Sequence, residues 1–531
     1  MKKVLGVLLA CVLILSLLSF GAPMVMGSSP NGGLDIVIKN GRVMDPLTGT
    51  DMIANVGIKN GRIVGIAPAG QSFGQAKVVI DATGLVVAPG FIDIHSHEGV
   101  LPMTMQAHVL DGVTTMIGGN CGGAPYPLAD YFAELEEEGI LINYASYFGH
   151  SRLRGMVGAT DRYAAATSEQ IEAMLPIAEQ EMKSGALGVS YGIHYVPGAS
   201  YEEILALAEV AAKYGGMTAA HARYGDARPL ALEGLREMVQ LASDSGIPHE
   251  YSHMGSMLGQ GEFMDEALDI LAQAQAEGVR ICADIYSYLA ASTGLGSAIL
   301  DPGFFERQNC GPQDIEVVRA VIIGGVVILE AGSRFVDEAQ FWYVRGKVRD
   351  GTIPDPGVIC HIIKPDNVKL ALQSPYVMCG SDGSVGYDPA TGKYRGHPRV
   401  AGNFSMFLGH WVREEGVCDL MTALFKTSTQ AALQLGLRNK GRIHPGADAD
   451  ITIFNPATVI DRATFGEGFM TPPEGIEYVI VNGELTVADG ELVEDVLAGK
   501  PIRRTWTVPG YAIDLTVGEI HRTYPVPSSV K

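Results

Sequence analysis

The stretch Pro89-Gly90-Phe91-Ile92-Asp93-Ile94-His95-Ser96-His97 carries the clearest structural signal in the chain. Its apolar centre predicts a buried strand, and residues two apart in a strand project to the same face. The side chains of His95 and His97 are therefore expected to lie together. Two imidazoles at the carboxyl end of a barrel strand form half of a metal site. The stretch thus predicts a metal site at the end of the first strand of a (β/α)8 barrel.

Outward from this strand, the middle of the chain alternates strand-like and helix-like stretches. Thr114-Thr115-Met116-Ile117 is typical of a buried strand. Helical spacing of apolar residues recurs in residues 168–184, 201–214 and 229–245. Repeated strand–helix units predict an α/β fold with a (β/α)8 TIM-type barrel over residues 89–437. The alternation is lost at residues 297–355, which we interpret as an insertion over the mouth of the barrel.

Both ends of the chain have a different, β-rich pattern. Leu34-Asp35-Ile36-Val37-Ile38 alternates as a strand does, and Lys39-Asn40-Gly41 is a turn sequence. The pattern returns in Tyr478-Val479-Ile480-Val481-Asn482-Gly483. We therefore expect residues 30–88 and 438–531 to form one small β-sandwich, with the barrel domain inserted between its two halves.

Residues 1–29 have the features of a secretory signal peptide. Lys2 and Lys3 precede an apolar run at residues 4–20, and small residues follow. An uncleaved membrane anchor is the alternative, because an apolar run of this length nearly spans a bilayer. Cleavage predicts an exported protein, periplasmic or extracellular.

The charge of the chain excludes several kinds of partner. It has 59 acidic and 38 basic side chains, a formal net charge of −21. Such a surface repels nucleic acid and anionic lipid, so we expect neither as a partner beyond the signal segment. An acidic substrate must meet local positive charge. The seven cysteines lack the spacing of a disulfide scaffold, and the sequence does not determine the oligomeric state.

Four further candidate ligands follow strand-like stretches: Cys121, His221, His253 and Asp382. Singly, each has an ordinary structural explanation as a buried cysteine, a core histidine or a turn aspartate. Their joint placement favours a shared site, because the carboxyl ends of parallel barrel strands meet at one face. A thiolate beside imidazoles suits zinc.

Several motifs resemble those of the N-acyl-D-amino-acid deacylases (D-aminoacylases), a family of the amidohydrolase superfamily. Besides the His-x-His strand, they are Gly119-Asn120-Cys121-Gly122, Gly185-Ala186-Leu187-Gly188-Val189-Ser190, Ser381-Asp382-Gly383 and His397-Pro398-Arg399. The resemblance covers nearly the whole chain after the signal segment. It implies zinc as the cofactor, one or two ions per chain, and a small acylated amino acid as the partner.

The resemblance also implies which residues hold zinc. A first position would be held by His95, His97 and Asp382. A second would be held by Cys121, His221 and His253, with Cys121 able to bridge the two. In this arrangement the thiolate stands in for the carboxylated lysine of other superfamily members.

Catalytic and substrate-binding residues follow from the same resemblance. Asp382 would take a proton from the attacking water and pass it to the leaving amine. Arg399 can bind a carboxylate through two hydrogen bonds. Tyr286 and Ser292 match family positions that contact the substrate's carboxylate. The alternatives for these three are a surface salt bridge, core packing and a loop hydroxyl.

Three features depart from the family pattern near the expected substrate position. Gly255 stands where members commonly carry a lysine, and Ser190-Tyr191-Gly192 replaces Ser-Thr-Gly. Residues 297–355 match poorly. The sequence predicts hydrolysis of N-acyl-D-amino acids. A cyclic-amide or dipeptide hydrolase of the same superfamily and a non-catalytic exported binding protein stay open as alternatives.

Overall fold

A computed structural model describes residues 33–97, 101–224, 230–259, 263–388 and 391–504. The predicted signal segment, residues 1–29, lies outside these residues. Among the described residues, no helix is both long enough and apolar enough to cross a membrane. The cysteines of the described part of the chain are all free thiols.

The strands are β1 Leu34–Asp45, β2 Thr50–Lys59, β3 Arg62–Pro68, β4 Ala76–Asp81, β5 Val86–Pro89, β6 Phe91–Asp93, β7 Val113–Gly118, β8 Asn143–Ser146, β9 Phe148–Gly149, β10 Gly188–Gly192, β11 Met217–His221, β12 His249–Tyr251, β13 Ile281–Ile285, β14 Ala291–Thr293, β15 Ile315–Val317, β16 Val321–Ile323, β17 Val326–Leu329, β18 Val358–Cys360, β19 Val377–Cys379, β20 Val385–Asp388, β21 Lys393–Gly396, β22 Ile451–Phe454, β23 Ile476–Val481, β24 Glu484–Ala488 and β25 Glu491–Leu492.

The α-helices are α1 Pro102–Leu110, α2 Leu128–Glu138, α3 His150–Met156, α4 Ser168–Lys183, α5 Tyr201–Lys213, α6 Leu230–Ser245, α7 Met254–Leu258, α8 Met264–Ala276, α9 Phe304–Gln308, α10 Glu338–Arg349, α11 Pro365–Gln373, α12 Arg399–Met406, α13 Leu420–Leu424 and α14 Gln430–Leu435. The three helices predicted from apolar spacing are α4, α5 and α6. Helix α4 begins with a capping box, in which Thr167 and Gln170 satisfy each other's backbone N–H groups.

Parallel strands form the barrel that the sequence predicts. β6, β7 and β8 pair in that order, and a second run pairs in the order β9, β10, β11, β12, β13 and β19. β8 and β9 are separated only by Tyr147, so they act as one strand and the ring has eight. The ring closes between β6 and β19, where Ser96 pairs with Gly383 and His97 N donates to Gly383 O at 2.9 Å. The (β/α)8 barrel is therefore confirmed.

Both ends of the chain contribute to one β domain, as predicted, and its strands form a nine-stranded sheet; residues 505–531 of the predicted β-sandwich lie outside the described residues. The sheet contains β1 to β5 from the amino-terminal part and β22 to β25 from the carboxyl-terminal part. The two halves join where β5 pairs antiparallel with β22. Buried Ile38, Val56 and Ile451 belong to the apolar cluster of this domain, and its burial against water stabilises the sheet. The exact domain limits stay predictions.

The segment predicted as an insertion forms a small unit of its own. β14, β18 and β15 form a three-stranded antiparallel sheet, and β16 and β17 form a hairpin. With α9 and α10 they enclose a separate apolar cluster that includes Phe304, Phe341 and Val358. Phe304 also lines the cavity that contains His97. The unit therefore forms part of the wall above the carboxyl ends of the barrel strands.

Candidate metal centre

Closure of the barrel brings His95, His97 and Asp382 together. His97 Nε2 lies 3.0 Å from Asp382 Oδ1, and His95 Nε2 lies 3.6 Å from the same oxygen. The backbone fixes this approach, because Asp382 N donates to His95 O at 2.7 Å. The first predicted zinc position is thus assembled where β6 meets β19.

Cys121 lies between this group and the two later histidines. Its Sγ is 3.5 Å from His95 Nε2 and 3.4 Å from His253 Nε2. The ring centroids of His221 and His253 are 4.5 Å apart. Three overlapping sets of donor atoms each lie within 4.8 Å of one another: His95, His97 and Cys121; Cys121, His221 and His253; His95, His253 and Asp382. The structure brings all six predicted ligands to one place, and their role as ligands stays a prediction.

Three of the six residues have left-handed backbone. The φ angle is 50° at Cys121, 36° at His253 and 49° at Asp382. Such conformations cost on the order of 1–3 kcal/mol each for residues other than glycine and cluster at functional sites. Next to Cys121, a Cβ on Gly122 would lie only 2.8 Å from Gly192 N. The glycine after Cys121 is therefore required by close packing of this turn against β10.

The charge states in the cluster suit a cation. Burial opposes ionisation of the Cys121 thiol, but the positive charges of His97, His95 and His253 hold its pKa well below the ordinary value. Burial also opposes ionisation of Asp382, but the charges of Arg399 and His253 hold its pKa well below the ordinary value. A thiolate and a carboxylate are the ligand forms that metals bind.

The pKa values of two imidazoles in the cluster are shifted in opposite directions. Burial favours a neutral His97, but the thiolate of Cys121 and the hydrogen bond to Asp382 raise its pKa to about 9. Burial and the charge of His253 lower the pKa of His221 to about 3. His221 is therefore neutral at pH 7, which is the form of imidazole that binds a metal.

The ring nitrogens of His221 indicate that the cluster fits a metal ion. Both of its ring nitrogens are buried, and neither has a well-formed hydrogen bond. A buried polar atom without a partner costs about 1–3 kcal/mol, so its retention needs a reason. A cation beside Cys121 and His253 would provide one. Because the donor set combines imidazole nitrogen, thiolate sulfur and carboxylate oxygen, it fits zinc.

A cavity of about 550 Å³ opens at the cluster. Its lining includes five of the predicted ligands, His97, Cys121, His221, His253 and Asp382. The insertion contributes Ile299, Phe304, Gln308, Val318, Arg319 and Asp355. The cavity thus places the candidate ligands beside a wall that combines apolar side chains with one basic and one acidic residue.

Arg399 begins α12 and contacts both Asp382 of the cluster and the ring of Tyr286. Its Nη2 lies 2.9 Å from Asp382 Oδ2, and its Cζ lies 4.4 Å from the centre of the Tyr286 ring. Arg399 is 1 % exposed, so a surface salt bridge is excluded. Its Nε and Nη1 and the Tyr286 hydroxyl are buried without a hydrogen bond. Ser292 lies in β14 and lines the same cavity as Arg399.

Gly255 stands where the family pattern has a lysine, so this position carries no positive charge in this chain. It lies in α7 and is buried. A Cβ there would lie 3.1 Å from Ile285 Cγ1, so the position faces an apolar side chain. The guanidinium of Arg399, by contrast, brings a positive charge to the ring of Tyr286.

Sequence reasoning missed three side chains at the cluster. Tyr195 lines the cavity with its ring 4.6 Å from that of His221, and its hydroxyl accepts a hydrogen bond from Thr293 Oγ1 at 3.4 Å. Asp284 and Glu250 form a buried group with His95. An acidic residue inside the apolar strand β13 could have identified Asp284, because a buried charge requires a partner.

Comparison with known proteins agrees with this arrangement. The amidohydrolase family pattern matches residues 78–322 and 333–487. A D-aminoacylase of Alcaligenes xylosoxydans xylosoxydans is 32% identical over 86% of this chain and 95% of that protein. An N-acyl-D-glutamate deacylase of the same organism is 32% identical over 85% of this chain and 93% of its own length.

A solved structure extends the similarity to three dimensions. The N-acyl-D-glutamate deacylase of Bordetella bronchiseptica, complexed with zinc and a phosphonate inhibitor that mimics the tetrahedral intermediate, superimposes with a TM-score of 0.75. It is 29% identical, and the match covers 89% of this chain and 100% of that one. With a family pattern over most of its length and a fitting donor cluster at the barrel mouth, the chain belongs to the amidohydrolase family of metal-dependent amide hydrolases.

Proposed function

We propose that this protein hydrolyses the amide bond of N-acyl-D-amino acids with zinc as its cofactor, giving a carboxylate and a free D-amino acid. One observation carries the proposal. The donor cluster and the partly unpaired guanidinium of Arg399 meet at the carboxylate of Asp382. A site for a metal is thereby joined to a site for a substrate carboxylate, as an N-acylated amino acid requires.

The candidate ligands would hold the metal in the two positions that the resemblance implies. His95, His97 and Asp382 form one group of donors, and Cys121, His221 and His253 form the other. When bound, zinc lowers the pKa of water to about 7 and polarises a carbonyl oxygen. The remaining steps belong to side chains of the protein.

Asp382 is placed to move the proton. Its carboxylate is ionised at neutral pH and borders the cavity, so it can accept a proton from an attacking water. The same oxygen can then donate that proton to the amide nitrogen. An amine leaves readily once it is protonated, so both transfers are needed for turnover.

Arg399 is placed to bind the substrate's carboxylate. Its two unpaired donors, on Nε and Nη1, are available in addition to the hydrogen bond that Nη2 makes to Asp382. Tyr286 supports the guanidinium with its ring, and its hydroxyl is a further donor without a partner. Ser292 adds a hydroxyl on the cavity wall. This set orients the α-carboxylate relative to Asp382.

Tyr195 is placed to donate a hydrogen bond across the cavity. Burial and the negative charge of Cys121 raise the pKa of its hydroxyl, so that it keeps its proton. The hydroxyl accepts from Thr293 and can therefore donate to a substrate atom. A carbonyl oxygen that gains negative charge during attack is the acceptor that this donor would stabilise most.

The experiment that tests the function is a substrate panel with chiral analysis of the released amino acid. It compares N-acetyl derivatives of matched D- and L-amino acids with hydantoins and dipeptides, using protein loaded with zinc. We expect release of D-amino acids from the N-acetyl compounds. Turnover of hydantoins or dipeptides alone would overturn the proposal. No turnover together with less than one zinc per chain would favour a binding protein.

We further propose export through residues 1–29, on the basis of the basic start and the apolar run. Expression of the full chain followed by fractionation and intact mass measurement tests this. A mature protein that lacks this segment and is recovered outside the cytoplasm is expected. Full-length protein in the membrane fraction would instead indicate an anchor.

A further inference from the structure

A fully buried carboxylate connects the two groups of candidate ligands. Asp284 lies in β13 and has no exposed surface. Its Oδ2 accepts a hydrogen bond from Nδ1 of His95 at 3.0 Å, and its Oδ1 accepts from the backbone N of His253 at 3.0 Å. His95 belongs to the first proposed zinc position and His253 to the second. One side chain therefore contacts a residue of each.

The contact with His95 determines which nitrogen of that ring faces the cluster. In the neutral form of the ring, which is the form that binds a metal, a proton on Nδ1 donated to Asp284 leaves the lone pair on Nε2, and Nε2 lies 3.5 Å from Cys121 Sγ. A carboxylate on the far nitrogen of a ligating histidine also raises the basicity of the near nitrogen. Asp284 thus selects the tautomer and orientation of His95 that bind a metal.

The contact between Asp284 and His253 involves the backbone N–H of His253 and not its imidazole ring. The backbone at His253 has φ 36° and ψ 58°, the left-handed region that costs free energy for a residue with a side chain. The hydrogen bond from its N–H to Asp284 Oδ1 holds this conformation. With the backbone held there, the imidazole of His253 lies 3.4 Å from Cys121 Sγ through Nε2.

The buried carboxylate of Asp284 lies beside a second buried carboxyl group. Glu250 in β12 is part of the same buried group as His95 and Asp284. Its Oε2 accepts from Ser252 Oγ at 3.2 Å. Burial and the charge of Asp284 raise the pKa of Glu250 well above its ordinary value, because two adjacent buried negative charges are unfavourable.

We propose that Asp284 is a positioning residue that prepares both zinc positions at once, through the ring of His95 and the backbone of His253. The inference rests on the proposed function, because it takes the cluster to be a zinc site. It does not depend on which amide the protein hydrolyses. Removal of this single carboxylate should therefore weaken the binding of every zinc ion that the chain holds.

The test measures zinc binding, not turnover. Purified wild type and Asp284→Asn are titrated in buffered zinc with a competing chelator, and cobalt(II) spectra report the thiolate contact of Cys121. The carboxamide of asparagine can accept from one of the two donors but not from both, and it carries no charge. We expect zinc affinity to fall about 10–100-fold, as loss of such a partner does at other sites. The cobalt–thiolate band should weaken in parallel.

Asp111→Asn is the matched control. Asp111 is also a buried aspartate that accepts from two backbone N–H groups, those of Phe404 and Ser405, and neither is a candidate ligand. The zinc affinity of the Asp111→Asn variant should equal that of the wild type. If Asp284→Asn does not fold, Asp284→Glu is measured in the same way, because it keeps the charge but displaces the carboxylate.

Wild-type zinc affinity in a folded Asp284 variant would overturn the inference. If the wild type binds two equivalents of zinc and the variant binds only one of them more weakly, the claim that one carboxylate serves both positions would also be overturned. A wild-type protein that binds no zinc would overturn the proposed function itself. Failure of the substrate panel with normal zinc binding would leave the positioning role intact.

Discussion

Arg399 donates from Nη2 to Oδ2 of Asp382 at 2.9 Å, and both side chains are buried at the base of the cavity. The pair joins the proposed proton carrier to the proposed carboxylate-binding residue. A substrate carboxylate on the remaining donors of Arg399 would share the guanidinium with Asp382. Substrate binding and proton transfer are therefore expected to depend on the same two residues.

Arg399→Lys should selectively impair substrates that carry an α-carboxylate. Lysine keeps a charge near Asp382 but cannot form two parallel hydrogen bonds. For an N-acetyl-D-amino acid, kcat/KM should fall about 10- to 100-fold, since hydrogen bonds from the guanidinium to the substrate carboxylate are lost at about 1.5–3 kcal/mol. The corresponding carboxamide should be affected much less. Arg395→Lys is the control, because Arg395 lines the same cavity but pairs with Glu467. Equal losses for both substrates would contradict the assignment.

Asp382→Asn should keep most of the zinc and lose most of the turnover. The amide can still accept a hydrogen bond but cannot take up a proton at neutral pH. Since general acid–base groups contribute about 10²–10⁴-fold, kcat should fall within that range. Zinc content by elemental analysis and kcat on the best substrate of the panel are the measurements. A variant with full zinc and full kcat would refute the proton-carrier role.

Tyr195→Phe should lower kcat with little change in KM or zinc content. The ring that packs on His221 is retained, and only the hydroxyl is lost. Removal of one donor to a developing oxyanion costs about 10²–10³-fold in kcat. A phosphonate mimic of the tetrahedral intermediate should bind more weakly by a similar factor. Tyr201→Phe, at a half-buried tyrosine outside the cavity that donates to Asp244, is the control. An increase in KM alone would show that Tyr195 binds the substrate and the transition state equally, and would contradict a specific role in stabilising the oxyanion.

The free energy of unfolding should decrease as the pH falls below about 6.5, because His249 is buried in its neutral form. Burial lowers the pKa of His249 to about 3, whereas the unfolded chain takes up this proton near 6.5. Its stabilising contribution is therefore complete above pH 6.5 and is lost as the pH falls toward 3, at about 1.4 kcal/mol per pH unit. His249→Asn should make the decline of the urea midpoint from pH 6.5 to pH 5 shallower. An unchanged pH dependence would contradict the neutral, buried state of His249.

Local patterns predicted much of the fold. The spacing of apolar residues located α4, α5 and α6 because a helix that packs on a barrel needs one apolar face. The six candidate ligands were found because each follows a strand, and strand ends meet at one face of a barrel. Asp284 and Tyr195 were missed because their roles depend on neighbours distant in sequence. His95 and Asp284 are 189 residues apart.

The sequence by itself determined the strand that ends in His95-Ser96-His97, the residue types of the donor cluster and membership of the amidohydrolase family. These follow from strand alternation and from the chemistry of thiolate, imidazole and carboxylate. Only the tertiary structure decided that Arg399 donates to Asp382 and that Asp284 contacts both His95 and His253. The reason is that these contacts form when the barrel closes between β6 and β19, and no local pattern specifies a distance across that closure.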